Sequence, residues 1–294
     1  MMPVLLVLVV VIAGYSLTLR HTGEDGATRT GWQDFLYYIT PHFEGLTVQR
    51  FLQILLDAMS QLFFSLSVSM GIMITYGSYV KRDVNLGKAV NQIEFFDTGV
   101  ALLAGVMIIP AVYVFSGVEG MGAGPSLMFV SLPKVFDAMG TAGVIVGALF
   151  FITAIFATLT SCISVLESIT ANCVEIFHTS RKKTVLVLSV IYLAASAAIA
   201  LGYSALYFEL PLPNGSVGQL LDLMDYVNNS VMMPFIALLS TILIGWVKTT
   251  QYVIGEMERN GETFRRKGIY TIMIRYIAPV MMFVLFLQST GILP

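Results

Sequence analysis

Three serines and a glycine interrupt an apolar stretch of the sequence, within Gln61–Gly71 (QLFFSLSVSMG). A helix that unwinds there would leave backbone N–H and C=O groups without partners, and such groups bind carboxylates and cations. In lipid, unwound backbone is stable only against a cavity or other protein. The alternative is a continuous helix whose serine hydroxyls bond back to its own backbone. The stretch therefore predicts either a binding break or an unbroken polar helix.

A stripe of small and hydroxyl-bearing residues repeats at helical spacing further along the chain. Its members fall at i, i+3, i+4, i+7 and i+11, on one face of a helix: Ala157, Thr160, Ser161, Ser164 and Ser168. Glu175 lands on the same face near the end of the stretch. Hydroxyl and carbonyl oxygens suit a hard cation such as sodium. Small residues at this spacing also let helices pack closely, so both interpretations stay open.

Acidic residues lie in or at the ends of apolar stretches. We expect Asp97 to open the third span, Glu167 to lie within the fourth and Asp225 to open the sixth. A carboxylate inside a membrane is costly and predicts a functional role. Asp97 and Asp225 could instead be simple interfacial residues. Glu167 has no residue nearby in sequence that would neutralise it.

The elements that position these residues follow from composition. The chain has 294 residues, 56% of them hydrophobic and only 12% charged, with net charge −2 and mean hydropathy +0.81. So few charges exclude a soluble enzyme, a disulfide scaffold and a disordered tail, and give no basic surface for nucleic acid. Motifs for a serine hydrolase, a metalloprotease or a P-loop are absent from the sequence. We predict an all-α, polytopic helical membrane protein that is not an enzyme.

Hydropathy predicts seven membrane spans, at 2–19, 52–80, 95–116, 142–177, 184–204, 222–247 and 270–290. The fourth would form a helix of ~54 Å, well beyond a hydrocarbon core of ~30 Å. If the spans alternate, eleven Lys and Arg residues lie in loops on one side and four on the other. The excess places loops 81–94, 178–183 and 248–269 in the cytoplasm, with the first residue inside and the last outside.

Four strings in the chain resemble the neurotransmitter:sodium symporter family, which has the LeuT-type fold. They occur in family order and spacing, at Gln61–Asp83, Asp97–Tyr113, Gly124–Phe136 and Phe156–Ser168. The resemblance implies a C-terminal fragment that covers the family's helices 5 to 11. It implies one transmembrane domain over 1–294: residues 1–20 are the last helix of the first inverted repeat, 50–247 a complete second repeat, and 248–294 a cytoplasmic loop and final helix. Helices 1 to 4 would then be supplied in cis or in trans.

The resemblance also implies site residues. A first sodium site matches Ser65 and Asp97, and a second matches Ala157, Thr160 and Ser161. The substrate pocket matches six residues: Phe64, Ser65, Ser67, Met70, Ser161 and Val165. Gating positions match Tyr79 and Glu175 on the cytoplasmic side and Asp225 on the outside. Gln61 matches a chloride-site glutamine, but the acid at position 97 implies that chloride is not required.

The function implied is sodium-coupled symport of a hydrophobic or aromatic amino acid by alternating access, in the lipid bilayer of a bacterial inner membrane. We expect this chain alone to be inactive, because the family's sites take ligands from helix 1. One alternative is a non-transporting structural subunit or a degenerate fragment. Another is assembly with a separate chain that supplies helices 1 to 4.

Overall fold

A computed structural model of the chain describes residues 2–22, 28–41, 43, 45–116, 127–213 and 217–292. Most of these residues are helical. Two short antiparallel strand pairs accompany the helices: β1 (Arg20–Thr22) with β2 (Thr28–Thr30), and β3 (Leu210–Pro211) with β4 (Val217–Gly218). The all-α class that hydropathy predicts is therefore confirmed.

Thirteen α-helices are present among the described residues. They are α1 Met2–Ser16, α2 Gly31–Ile39, α3 Val48–Ser65, α4 Ile72–Tyr79, α5 Leu86–Ser116, α6 Leu132–Ala138, α7 Thr141–Phe177, α8 Arg181–Leu201, α9 Leu220–Asp225, α10 Met233–Ile242, α11 Thr250–Met257, α12 Lys267–Ile272 and α13 Ala278–Ser289. Segments of π-helix lie between or beside some of them, at Leu127–Ser131, Tyr226–Met232, Leu243–Val247 and Met273–Ile277. Two of the predicted spans are thus composite helices, Leu220–Val247 and Lys267–Ser289.

Five helices in the described part of the chain are long and apolar enough to cross a membrane. The fourth predicted span is the 37-residue helix α7. The second, 52–80, is two helices, because α3 ends at Ser65 and α4 begins at Ile72. The third span was predicted to begin at residue 95, with Asp97 at its opening, and this is wrong for the helix. Helix α5 begins at Leu86, so Asp97 lies inside it. The polar residues before position 95 continue the helix rather than capping it.

The chain forms two compact units. The first contains Met1–Gly45 and Gln92–Cys162. Its core joins α1, α5, α6 and α7 through the buried residues Val9, Ile12, Ala13, Met107, Leu132, Phe136 and Phe150. The buried Ser16 hydroxyl donates to the Met107 carbonyl at 3.0 Å, which fixes α1 against α5. A Cβ at Gly143 would lie 1.7 Å from the Phe136 carbonyl oxygen, so the close approach of α6 and α7 requires glycine there.

The second unit contains Leu46–Asn91 and Ile163–Pro294. Its core lies where α3 packs on α10 and α13: buried Ala237, Met282 and Leu285 contact Leu56, Met59 and Phe63. The Tyr226 hydroxyl donates to the Ser289 carbonyl at 2.6 Å and ties the start of one composite helix to the end of the other. The single transmembrane domain implied by the family resemblance stays a prediction.

Candidate functional site

The interruption after α3 is a helix end with its own hydrogen bonds. The Val68 N–H donates to the Phe63 carbonyl at 2.9 Å, and the Ser67 N–H donates to the Phe64 carbonyl at 3.1 Å. This pair of bonds is a Schellman motif, which ends a helix and normally has glycine at its left-handed position. Here Ser67 holds that position, with φ 53°. The unbroken-helix alternative is therefore wrong, and the break predicted from the serines is confirmed.

Left-handed backbone recurs at alternate residues through the break. Ser67 has φ 53°, Ser69 has φ 67° and Gly71 has φ 76°. Each non-glycine residue in this conformation costs about 1–2 kcal/mol, and such strain persists mostly at functional sites. The Ser69 Oγ atom is buried and has no hydrogen-bond partner within the described residues. No side chain caps α4, whose first-turn N–H groups therefore face the break.

Two hydroxyl pairs hold α4 against the second half of α7. Thr75 Oγ1 lies 3.2 Å from Ser168 Oγ, and both residues are buried. The Tyr76 hydroxyl donates to the Oγ atom of Ser164, which lies one helical turn before Ser168 on α7. A Cβ at Gly71 would come within 3.1 Å of Ser168 Oγ, so the start of α4 also lies close to α7. Ser164 and Ser168 of the polar stripe therefore form a packing face between α4 and α7, which is the helix-packing interpretation of the stripe.

The first half of the stripe bonds to its own helix. Thr160 Oγ1 donates to the Ala157 carbonyl at 2.7 Å, and Ser161 Oγ donates to the same carbonyl at 3.5 Å. A hydroxyl that donates its hydrogen in this way keeps its oxygen lone pairs for another ligand. Both side chains are exposed in the structure. Exposed hydroxyl oxygens of this kind are chemically suited to bind a cation.

The residues matched to the substrate pocket occupy few elements. Phe64 and Ser65 form the last turn of α3, whereas Ser67 and Met70 lie in the break. The carbonyls at the end of α3 give this side of the break a partial negative charge. The other two pocket residues, Ser161 and Val165, lie one turn apart on α7.

The matched sodium residues belong to different units. Ser65 is in the second unit, whereas Asp97, Ala157, Thr160 and Ser161 are in the first. Among the described residues no cluster of three His, Cys, Asp or Glu side chains is arranged for a metal. The site implied for a monovalent cation depends instead on hydroxyl and carbonyl oxygens.

Glu167 has an ionic partner that the sequence analysis missed. The Arg181 guanidinium forms a salt bridge with one carboxylate oxygen, and the Tyr79 hydroxyl donates to the other at 2.7 Å. The expectation concerned neighbours in sequence, whereas Arg181 lies 14 positions further along the chain and reaches Glu167 in space. Arg181 opens α8, and the short turn after α7 returns it to the carboxylate. Its only signal in the sequence was the basic run at 181–183.

The Tyr79–Glu167 hydrogen bond involves one of the predicted gating residues, Tyr79. Tyr79 ends α4, and the structure joins it to Glu167 rather than to Glu175, which the resemblance groups with it. Glu175 lies exposed near the end of α7. Its gating role stays a prediction.

A second acidic region lines a cavity of about 320 Å³ in the second unit. Its lining comes from α3, from the last residue of α9 and from the π-helix that follows α9: Asp57, Ser60, Gln61, Phe64, Asp225, Asn229 and Ser230. Asn229 Nδ2 donates to Asp225 Oδ1 and orients that carboxylate. The cavity brings the predicted gating residue Asp225 together with Gln61 and with the pocket residue Phe64. Asp57, which the sequence analysis did not single out, lies in the same wall.

Long apolar helices together with a helix pair broken at a strained serine-rich segment are typical of secondary membrane transporters. Comparison with known proteins identifies the family. The protein-family model described as the sodium:neurotransmitter symporter family matches residues 1–292, so the chain belongs to that family. The resemblance stated from the four sequence strings is confirmed. The family is one of symporters, which are transporters and not enzymes.

Individual relatives agree with this assignment. An uncharacterised sodium-dependent transporter of Bacillus subtilis, YhdH, is 30% identical over 100% of this chain and 61% of its own length. A similar sodium-dependent transporter of Haemophilus influenzae is 29% identical over 98% of this chain and 59% of its own length. The crystal structure of MhsT in complex with L-phenylalanine is 33% identical, with a TM-score of 0.82 over 98% of this chain and 61% of that one. The chain therefore spans about three fifths of these relatives.

Proposed function

We propose that the chain carries the ion- and substrate-binding part of a sodium-coupled amino-acid symporter that works by alternating access. The observation that supports this most directly is the break at 66–71, with two serines in left-handed backbone. Strained, uncapped backbone at membrane depth has a binding role when it faces a cavity or another helix. Here α4, which begins at the break, packs on α7 through hydroxyl pairs.

Sodium is proposed to bind at two places. One uses Ser65 and Asp97, and the other uses Ala157, Thr160 and Ser161. Support comes from the sodium dependence in the relatives' names and from the Thr160 and Ser161 hydroxyls, whose hydrogens point to the Ala157 carbonyl. Because Asp97 brings a fixed negative charge, the transport cycle should not require chloride.

The substrate is proposed to be a hydrophobic or aromatic amino acid. Support comes from the L-phenylalanine complex of MhsT. The matched pocket combines apolar Phe64, Met70 and Val165 with the hydroxyls of Ser65, Ser67 and Ser161. The carbonyls at the end of α3 suit a substrate ammonium group, because the C-terminal end of a helix is partially negative.

Gates on the two sides of the membrane complete the proposal. Glu167 joins Tyr79 of α4 to Arg181 of α8, and this contact would close the cytoplasmic side. Glu175 would act with it, and Asp225 would close the outside. The cytoplasmic assignment uses the excess of basic residues in loops 81–94, 178–183 and 248–269, which also places the first residue in the cytoplasm. The membrane is proposed to be a bacterial inner membrane.

Sodium-driven uptake of L-phenylalanine into vesicles tests the proposal. We expect no uptake by this chain alone, and uptake when it is co-expressed with a segment that carries the upstream helices implied by the family. Uptake should persist when chloride is replaced by gluconate. Absence of uptake in every combination would favour the non-transporting alternative.

A matched pair of variants on α7 locates the ion site. Ser161→Ala should weaken the apparent sodium affinity of the co-expressed system by about tenfold or more, because it removes a hydroxyl ligand to a charge. Thr158→Ala is the control: Thr158 is also exposed and also donates to a backbone carbonyl one turn earlier, at 2.9 Å, but lies on another face. Equal effects of the two substitutions would contradict the assigned site.

A further inference from the structure

Two loops of the second unit that carry basic residues are held together by a specific contact. The first, residues 80–85, joins α4 to α5, and the second, residues 258–266, joins α11 to α12. Asn260 Nδ2 donates to the Arg82 carbonyl at 2.8 Å, across 178 positions of sequence. The start of α5 also approaches α11, because a Cβ at Gly87 would lie 3.6 Å from the Met257 methyl. The loops therefore form one surface.

Positive charge exceeds negative charge on this surface. Seven basic side chains, all exposed, belong to the loops and the helix ends beside them: Lys81, Arg82, Lys88, Arg259, Arg265, Arg266 and Lys267. Four acidic side chains accompany them: Asp83, Glu256, Glu258 and Glu262. Arg259 pairs with Glu256 at 3.0 Å, and Lys267 pairs with Glu258 at 3.4 Å. The two loops keep a net positive charge after these pairs.

The fold of the second loop presents its arginines outward. The Phe264 N–H donates to Glu258 Oε1 at 3.3 Å, and the same oxygen accepts from the Lys267 ammonium. Glu258 thus closes the loop from inside, while Arg265 and Arg266 lie between these two anchored residues and are exposed. We use the name basic loop surface for Lys81, Arg82, Lys88 and Arg265.

The position of the surface along the chain sets its depth in the membrane. Both loops lead into helices that are long and apolar enough to cross, one beginning at Leu86 and the other at Lys267. Every basic residue of the surface is within five residues of one of these helix starts. Tyr252, on α11 just before the second loop, is 69% exposed, and tyrosine is typical of the membrane–water interface. The second loop therefore lies at the level of lipid headgroups, and the Asn260–Arg82 contact joins the first loop to it.

We propose that the basic loop surface binds the phosphate-bearing headgroup of anionic lipids in the leaflet that it faces. Guanidinium groups match phosphate oxygens in a bidentate geometry, and Arg82 and Arg265 supply two of them. Basic residues scattered along separate loops would give only a general preference for one side of the membrane. The Asn260–Arg82 hydrogen bond holds the two loops together, so their basic residues form one site. A headgroup bound across it would link the loop after the broken helix to the loop before α12.

Native mass spectrometry of the full chain, extracted from vesicles that contain phosphatidylcholine and phosphatidylglycerol, tests this proposal. The wild type should retain phosphatidylglycerol in preference to phosphatidylcholine. The double variant Arg82→Gln/Arg265→Gln should lower that preference by about fivefold per charge removed. The matched control Lys182→Gln/Lys183→Gln removes two exposed charges from another loop that we place on the same side, and should leave the preference unchanged.

Asn260→Ala separates a built site from diffuse charge, because it removes the tie between the loops and alters no charge. It should lower the preference for phosphatidylglycerol while leaving the melting temperature in phosphatidylcholine unchanged. Equal losses in the two double variants, or full retention of phosphatidylglycerol by Asn260→Ala, would overturn the proposal. The double variants change only exposed side chains, so they decide the matter even if Asn260→Ala does not fold.

Discussion

The Tyr79 hydroxyl donates a 2.7 Å hydrogen bond to Glu167, a residue 88 positions later in the chain. This bond joins the last residue of α4 to the middle of α7, and the Arg181 side chain binds the other oxygen of the same carboxylate. The second half of the broken helix is thus attached to α7 at two points, at its last residue by Tyr79 and at its middle by Thr75.

Tyr79→Phe should loosen α4 from α7. The variant keeps the ring and removes one hydrogen bond to a carboxylate, so the free energy of local opening should fall by about 1 kcal/mol. Hydrogen–deuterium exchange of the α4 amides would show this as faster exchange. Tyr252→Phe removes an exposed hydroxyl from α11 and should leave α4 exchange unchanged. Unaltered exchange in Tyr79→Phe would show that the bond does not hold the helix.

The buried pair Thr75 and Ser168 should behave as a coupled unit. Thr75→Val leaves the Ser168 hydroxyl buried without its partner and should cost about 1–3 kcal/mol. Adding Ser168→Ala removes that orphaned group, so the double variant should be less destabilised than the sum of the two single variants. Thermal unfolding of all four proteins in the same bilayer gives the coupling energy. Strict additivity would indicate that the two hydroxyls do not interact.

Glycine should have opposite effects at two serines of the broken helix. Ser67→Gly relieves left-handed strain and should raise the free energy of unfolding by about 1 kcal/mol. Ser65→Gly, two residues earlier and still helical, should lower it by a similar amount, because glycine is a poor helix former. Urea or thermal unfolding of the two variants side by side tests this. If both substitutions lowered the free energy of unfolding, left-handed backbone at Ser67 would not be a source of strain.

Asp34 should make the first unit sensitive to pH. It lies on α2, outside the apolar spans, and is only 7% exposed. Burial raises the pKa of its carboxyl above the ordinary value, with Arg29 acting in the opposite direction. A folded state that holds the proton more tightly than the unfolded chain loses stability as the pH rises. The loss should begin near the ordinary aspartate pKa of about 3.9 and be complete above the raised value.

Asp34→Asn removes this dependence. At neutral pH the variant should melt at a higher temperature than the wild type, and the difference should vanish in acid, where the wild-type carboxyl is neutral. Melting curves between pH 3.5 and pH 8, chosen to bracket this range, measure it. Asp137→Asn, at an exposed acid of the same unit, is the control and should shift the curve little. A wild type that gains stability with rising pH would show that the Asp34 carboxylate is stabilised by the fold.

The break after α3 could be predicted because its signal is local. Three serines and a glycine follow one another where an apolar helix was expected, and the Schellman bonds that end the helix span only six residues, Phe63–Val68. The helical periodicity that placed Ala157, Thr160 and Ser161 on one face is also local. The family strings lie in these same segments, which is why the resemblance and the residue chemistry agreed.

Contacts between distant segments had no such signal. The Arg181 partner of Glu167 depends on the turn between α7 and α8, and Asn260 meets Arg82 across 178 positions. Before the fold was known, Arg181 and Arg82 counted only as charges that set orientation. Nothing in the sequence singled out Asp57, which shares a cavity wall with Asp225.

The sequence by itself determined the class of the protein and the position of its broken helix. These follow from hydropathy and from short-range backbone preferences, which act within one or two helical turns. Only the tertiary structure decided which face of the polar stripe packs on α4, which cation neutralises Glu167 and which loops form one basic surface. Those outcomes depend on how helices pack and where loops return, since a side chain's partner is set by distance in space and not by separation along the chain.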